Sequence, residues 1–189
     1  MGGEEKNYGG LSDLHLENRP VTMESISNVK AFPCETLDAA GQRALQNAHK
    51  RLLFEATKQP LGTEVGRCYG LDMRPLCGYI VGDGVRSVNL PLQDVPYIAI
   101  HNHPSGLTLS PGDIRSFAAS PNMRMLIAVG NNGKVFAVEK TVNFRSVDVL
   151  IRVSEIKHRI EQARNAQEGL SIMQDFLQGA EEYGFIYHT

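Results

Sequence analysis

The feature that most constrains the fold is a strand–turn–helix unit in the middle of the chain. Tyr97 to Ile100 is a short apolar run typical of a buried strand, and it leads directly into His101-Asn102-His103. Pro104 and Gly106 then predict a sharp turn. Ser110-Pro111-Gly112-Asp113 predicts a helix start, with serine at the N-cap, proline at N1 and an acid at N3. The chain therefore combines strands and helices in one local unit.

Periodicity predicts the elements on either side of this unit. Apolar residues at helical spacing indicate a helix from Ala39 to about Thr57, with Asp38 as its cap. Val21 to Ile26 is predicted as a short strand or turn, and two apolar stripes starting at Val149 and Leu170 predict C-terminal helices. Further strands are predicted at 64–72, 76–81, 85–90, 125–129 and 134–138, with hairpin turns at 82–84 and 131–133.

The order of these elements favours an α+β fold with a mixed central β-sheet flanked by helices. Because 42% of the 189 residues are apolar and 21% are charged, the chain can bury one ordinary core. We predict a partly irregular N-terminal extension over 1–35, a central domain over 36–145, and C-terminal helices over 146–189 that pack on that domain.

Composition excludes several classes of partner. The net charge of −2 argues against broad attraction to nucleic acid or to an anionic membrane. No apolar run approaches 18 residues, and residues 1–19 do not resemble a signal peptide, so we expect no membrane span. Cys34, Cys68 and Cys77 are widely spaced, which indicates reduced thiols and a cytoplasmic location. Cys68 and Cys77 are interpreted as core residues on adjacent strands.

The two histidines of the central unit suggest a metal site. Residues at i and i+2 on a strand point to the same side, so His101 and His103 can converge on one ion. The short loop brings back Asp113 in the first turn of the following helix. Two imidazoles and one carboxylate suit Zn²⁺, and three protein ligands leave the fourth tetrahedral position open, as in catalytic sites. We predict one zinc ion per chain.

Zinc at such a site would support the hydrolysis of an amide bond, because it lowers the pKa of water to about 7 and polarises a carbonyl. The reaction also needs a general base, and Glu64 at the start of the strand 64–72 is the candidate. Glu55 is the alternative, although it falls on a helix. The Ser110 hydroxyl could donate a hydrogen bond to the oxyanion of the tetrahedral intermediate.

Together, Glu64, the run His101 to Gly106 and the pair Ser110 and Asp113 resemble the JAMM/MPN+ (JAB) metalloprotease signature over residues 40 to 140. The resemblance implies a three-layer fold like that of cytidine deaminases and the same site roles: His101, His103 and Asp113 as ligands, Glu64 as base, Ser110 as oxyanion donor. It also implies cleavage of peptide or isopeptide bonds at ubiquitin-like C-termini. The motif wording is closest to the bacterial RadC branch. Six residues separate His103 from Ser110, where the family usually has seven.

Several other interpretations stay open. Ser110 and Asp113 would start a helix without any metal, and Glu64 could be an exposed carboxylate at a strand end. A RadC-like DNA-repair or mobile-element protein, a non-catalytic MPN scaffold and a His-Asn-His nuclease are further hypotheses. The expected partner is a protein or peptide whose extended tail adds to an exposed strand, whereas nucleic acid and membrane are not expected. The sequence predicts no oligomeric state.

Overall fold

The computed structural model describes residues 17–83 and 88–189. Six strands form one sheet in the order β2-β1-β3-β4-β5-β6. Their bounds are β1 Val65–Gly70, β2 Ile80–Val81, β3 Tyr97–His103, β4 Met123–Gly130, β5 Val135–Lys140 and β6 Phe185–His188. The helices are α1 Met23–Asn28, α2 Ala39–Ala56, α3 Pro111–Ala119, α4 Ser146–Glu161 and α5 Ala166–Gln178, and a 3₁₀ turn covers Ala180–Tyr183.

The sheet is mixed because one of its connections is a helical crossover. β3 and β4 are parallel neighbours, and α3 connects them, as a parallel pair requires. The other four neighbouring pairs are antiparallel. The predicted α+β class, with a mixed open sheet flanked by helices, is therefore confirmed.

Helices cover both faces of the sheet, and alternation along β3 shows how the faces are divided. Ile98 and Ile100 belong to a core cluster with α2, whereas Tyr97 and Ala99 belong to a cluster with α3, α4 and α5. All seven residues of β3 are buried because the strand lies between these two layers. Within 17–83 and 88–189, no helix has both the length and the apolarity needed to cross a lipid bilayer.

The prediction of a strand or turn at 21–26 is wrong, because the chain forms helix α1 there. Thr22 is the N-cap, and its hydroxyl accepts a hydrogen bond from the Ser25 backbone N–H at 3.0 Å. The Ser25 hydroxyl in turn accepts from the Thr22 N–H at 3.0 Å. This reciprocal pair is a capping box, which stabilises a helix start in a segment too short to show helical periodicity.

The predicted hairpin over 76–90 is not found among the described residues, because β2 pairs with β1 and with no strand that follows it. Only Ile80–Val81 forms a strand on its first side, and residues 88–90 lie outside any strand. The second part of the predicted turn and residues 85–87 lie outside the described residues. The Val88 N–H donates to the Glu64 carboxylate at 3.0 Å. The Val88 N–H is therefore bonded to a side chain and not to the backbone of a neighbouring strand.

The C-terminal segment contains one element that periodicity did not predict. The two predicted helices are present as α4 and α5, and their apolar stripes pack on the α3 side of the sheet. Beyond them, β6 pairs antiparallel with β5. The His188 ring bonds the buried Glu139 carboxylate at 2.9 Å across this pair. A four-residue strand at the chain end has too little alternation to be recognised without its partner.

Candidate metal centre

Strand β3 brings the two histidines together at its carboxyl end. Both side chains lie on the α3 side of the sheet because they follow Tyr97 and Ala99 at alternate positions. Their residues are 3% and 8% exposed, and the two Nε2 atoms are 2.9 Å apart. The strand geometry expected from the sequence is therefore present, with two imidazoles directed at one point.

Helix α3 supplies the third ligand. Asp113 Oδ1 is 3.3 Å from His101 Nε2, and Asp113 Oδ2 is 3.4 Å from His103 Nε2. Ligand atoms around a tetrahedral zinc with bonds of about 2.0–2.1 Å are about 3.3 Å apart. The two His–Asp distances, which run to different carboxylate oxygens, are close to that value, whereas the two Nε2 atoms are nearer to each other. This buried group could hold a metal ion.

The loop after β3 orients the second imidazole. His103 Nδ1 lies 3.0 Å from the Leu107 carbonyl oxygen, so the Nδ1–H donates to it and Nε2 is the ring nitrogen that faces Asp113. The turn depends on Gly106, whose φ is +75°. A Cβ there would lie 2.5 Å from Asn132 Nδ2, so only glycine fits. The loop therefore orients the ring so that Nε2 is the nitrogen available to a metal.

Ser110 caps α3 and also holds the carboxylate of Asp113. Its hydroxyl donates to Asp113 Oδ2 at 2.7 Å and accepts from the Asp113 N–H at 3.2 Å. The Ser110 N–H donates to the same carboxylate oxygen at 2.7 Å. The helix-cap interpretation is thus present in the structure, and the cap positions the third ligand.

Glu64 lies beside the cluster, immediately before β1. Burial raises the pKa of its carboxyl group, the charges of His101 and His103 oppose that change, and the charge of Asp113 adds to it. One oxygen, Oε2, accepts the Val88 N–H. The alternative base is placed differently, because Glu55 lies on α2 and pairs with Lys58 at 2.7 Å. The structure brings Glu64, and not Glu55, into electrostatic contact with the histidines.

Electrostatics within the cluster favour a cationic partner for the carboxylate. Burial alone would raise the pKa of Asp113, but the charge of His101 and hydrogen bonds from both histidines hold it well below its usual range. Burial alone would lower the pKa of His103, but its hydrogen bond to Asp113 and the charges of Asp113 and Glu64 raise it to about 9. The metal-free cluster therefore takes up protons, and a divalent cation would replace them.

The sequence did not indicate the polar network behind the cluster. Asn102 is completely buried on the α2 side of the sheet; its Oδ1 accepts from the Val65 N–H at 2.6 Å, and its Nδ2 donates to Asn131 Oδ1 at 2.9 Å. Asn131 donates its own side-chain N–H to the Arg19 carbonyl at 2.7 Å and its backbone N–H to the His103 carbonyl at 3.0 Å. Only its position between the histidines could have pointed to Asn102.

The N-terminal segment adds to this network from outside the sheet. The Arg19 N–H donates to the Pro104 carbonyl at 2.9 Å, directly after His103. The preceding residue, Asn18, lies so close to Gly62 that a Cβ there would be 2.6 Å from its Nδ2. Residues 18–19 therefore bridge the loop that leads to Glu64 and the loop that follows the histidines.

Comparison with known proteins gives no relative from which the role of this site could be inferred, so its interpretation depends on its geometry. No family model, no curated protein and no solved structure matches the chain. What the residues themselves provide is two imidazole nitrogens and a carboxylate at ligand spacing, a second carboxylate beside them, and hydrogen bonds that hold three of these groups in place.

Proposed function

We propose that the protein is a zinc-dependent hydrolase of peptide or isopeptide bonds, of the JAMM type. The observation that carries the proposal is the convergence of His101, His103 and Asp113, whose nitrogen and oxygen atoms lie 2.9–3.4 Å apart. A second carboxylate, that of Glu64, is close enough to interact with their charges. A mixed sheet covered by helices on both faces supports the MPN/JAB fold as part of this proposal.

The three side chains fit zinc by their chemistry. Two neutral imidazoles and one carboxylate form the donor set of many catalytic zinc sites. Because His103 Nδ1 is bonded to the Leu107 carbonyl, its Nε2 is the atom that would lose a proton and bind the metal. When bound, zinc would supply Lewis acidity, which makes water a nucleophile near neutral pH and polarises a carbonyl. The residues around it would then have to move the protons.

Glu64 is suited to accept and return a proton. A carboxyl group whose pKa is raised by burial is a better base toward water than an ordinary glutamate, and it gives the proton up again to a leaving amine. The Val88 N–H holds Oε2, and no hydrogen bond from the described residues engages Oε1. We therefore assign proton transfer to Oε1.

Ser110 has a narrower role in this mechanism. A hydroxyl has one proton, and Ser110 donates it to Asp113 Oδ2 in the structure. Donation to a substrate oxyanion, as the JAMM resemblance implies, would require the hydroxyl to rotate away from the ligand. Ser110 is accordingly both a positioning group for Asp113 and the candidate oxyanion donor.

The edge of the sheet suggests how a substrate binds. β2 is a two-residue edge strand next to β1, and Glu64 directly precedes β1. An extended peptide can add to such an edge through main-chain hydrogen bonds. We propose that the tail of a protein substrate, with a ubiquitin-like C-terminus as the leading example, lies there. The three free cysteines agree with action in the reducing cytoplasm.

Metal analysis tests the first half of the proposal. The purified protein should contain about one zinc per chain, and His103→Ala should abolish loading because it removes a ligand that no neighbour replaces. His158→Ala is the matched control, since His158 is exposed on α4. Native protein that does not take up zinc, or a His103→Ala variant that retains it, would contradict the site.

Activity profiling tests the second half. Wild-type protein should cleave conjugates and peptides extended beyond a Gly-Gly terminus, and a chelator should stop the reaction. Glu64→Gln should keep its zinc but lose hydrolysis, whereas Glu55→Gln should retain both. A Glu64→Gln variant with full activity would place the base elsewhere.

A further inference from the structure

A second cavity lies at the end of the sheet opposite the metal centre. It has a volume of about 470 Å³ and is bounded by the end of α3, the start of β4, the end of β5 and the start of α4. Met123 at the start of β4 pairs with Tyr97, six residues before His103 on β3. At about 3.3 Å per residue, this end of the sheet is roughly 13 Å from His101 and roughly 20 Å from His103.

One wall of the cavity is formed by Lys140, a lysine that is only 6% exposed. Its ammonium group donates to the Ser120 carbonyl at 2.5 Å and lies 4.9 and 4.7 Å from the ring centroids of Phe117 and Phe144. Burial, followed by the charge of Arg124, lowers the pKa of Lys140 to about 8. The ammonium group is thus desolvated, and the Ser120 bond uses one of its three N–H donors.

The second cation of the cavity is Arg124. Its Nη2 donates to the Lys140 carbonyl at 3.2 Å, which brings the guanidinium next to that residue's backbone. Across residues 17–83 and 88–189, no carboxylate forms an ion pair with Arg124 or Lys140. None of the residues lining the cavity is acidic. Two neighbouring cations therefore share a concave site without a counter-charge.

A structural role explains only part of this arrangement. Helix α3 has no basic residue in its last turn, and the Lys140 ammonium satisfies the carbonyl of its C-cap, Ser120. That role needs one cation, yet the cavity holds two. Arg124 is half-buried, and its positive charge repels that of Lys140, so an anion bound between them would be favourable.

The remaining walls of the cavity are mainly apolar. Pro121, Val142 and Phe144 provide an apolar surface, and the Val142 side chain is almost fully exposed. Ser146, the first residue of α4, lines the same cavity, and the first turn of that helix also carries Asp148. An anionic group beside an apolar body would match both kinds of wall.

We propose that this cavity binds a small organic anion, with a carboxylate or phosphate group held by Arg124 and Lys140 and an apolar part against Val142 and Phe144. Both kinds of anionic group accept hydrogen bonds from a guanidinium and an ammonium group. The site is separate from the proposed zinc centre and does not depend on hydrolytic activity.

Calorimetry with matched probes tests the proposal. Phenyl phosphate carries a phosphate group on a phenyl ring, and benzoate carries a carboxylate on the same kind of ring. Phenol has the ring without an anionic group. We expect one-to-one saturable binding of at least one anion, with phenol at least tenfold weaker, and the stronger anion identifies the group. Absence of saturable binding by both anions, or equal binding of phenol, would overturn the proposal.

Variants locate the binding. Arg124→Gln and Lys140→Met should each weaken the preferred anion at least tenfold, and Arg159→Gln on the exposed face of α4 should not. If Lys140→Met does not fold, Arg124→Gln decides, because Arg124 is only half-buried. His103→Ala must keep wild-type affinity. If Arg124→Gln bound the anion as tightly as wild type, or if His103→Ala bound it more weakly, the anion would bind elsewhere and the proposal would be refuted.

Discussion

Two buried polar side chains show how strongly single residues of this fold depend on their partners. Asn102 has a hydrogen bond on both its oxygen and its nitrogen, which ties β3 to Val65 and to Asn131. His49 on α2 is 1% exposed, and neither of its ring nitrogens has a hydrogen-bond partner among residues 17–83 and 88–189. Phe32 stacks on the ring, with the centroids 6.3 Å apart. Asn102 stabilises the fold through hydrogen bonds to both of its polar atoms, whereas His49 contributes through the contact of its ring with Phe32.

Replacing Asn102 with alanine should destabilise the protein strongly. The change leaves the Val65 N–H and the Asn131 side-chain oxygen buried without their partner, at a cost of about 2–4 kcal/mol together. Urea denaturation at pH 7 measures the change in the free energy of unfolding. Asn143→Ala is the matched control because Asn143 is exposed, and it should change stability by less than about 0.5 kcal/mol. Equal effects of the two substitutions would contradict the network.

The buried His49 should make the protein acid-sensitive. Burial lowers its folded-state pKa to about 3, whereas an unfolded histidine titrates at about 6.5. Between these values the unfolded chain binds more protons, so stability is full above about pH 6.5 and falls as the pH drops toward 3. From pH 6.5 to 4.5 the loss should be about 2–3 kcal/mol.

Denaturation of His49→Leu at the two pH values measures this contribution. The variant should lose less stability than wild type between pH 6.5 and 4.5, because the titrating group is gone while the other groups remain. His158→Leu, at an exposed position, should behave as wild type. The idea fails if His49→Leu and wild type show the same pH dependence.

At the scale of elements, helix α3 connects the two proposed sites. Its first turn carries Asp113, held by the Ser110 cap, and its last turn accepts the Lys140 ammonium at the Ser120 carbonyl. Ile114 and Phe117 anchor the helix in the core between these ends. Its position is therefore determined by packing along its length and by hydrogen bonds at each end.

Ser110→Ala in metal-free protein should measure the capping role of Ser110 apart from its proposed role as oxyanion donor. Loss of the N-cap should cost about 1 kcal/mol of stability even in metal-free protein, because the Asp113 N–H loses its acceptor. Thermal unfolding with a chelator present measures this cost. Ser154→Ala, at an exposed position within α4, is the control and should have little effect. Unchanged stability of Ser110→Ala would show that the cap contributes nothing.

At the scale of the whole molecule, the proposed centre draws on distant parts of the chain. Glu64 precedes β1, the histidines end β3, and Asp113 begins α3, so the geometry exists only when the sheet is assembled. The register places Gly66 of β1 opposite His101, which brings the start of β1 to the metal end of β3. Folding and metal binding should consequently be coupled.

Zinc should raise the stability of the folded chain by mass action. With free zinc at 100 times the dissociation constant, the free energy of unfolding should rise by about 2.7 kcal/mol. Thermal unfolding with zinc and with a chelator measures the difference. His101→Ala should unfold at the same temperature in both conditions. A zinc-dependent shift of equal size in that variant would place the metal at another site.

Most local structure was predictable from the sequence, because it depends on neighbouring residues. The periodicity of α2, the alternation of β3 and the capping residues of α3 are set within about 18 residues, and His101, His103 and Asp113 belong to one such stretch. The capping box of α1 was equally local but was not recognised, since six residues are too few to show a helical period.

The sequence by itself determined which side chains reach the metal end of β3, since a strand, a turn and a capped helix start dictate their directions. Only the tertiary structure decided that β6 pairs with β5, that Glu64 binds Val88 beside the histidines, and that Arg124 and Lys140 share a cavity. These contacts join segments 16 or more residues apart. They arise from the burial of the two sheet faces as a whole, which no local pattern of residues records.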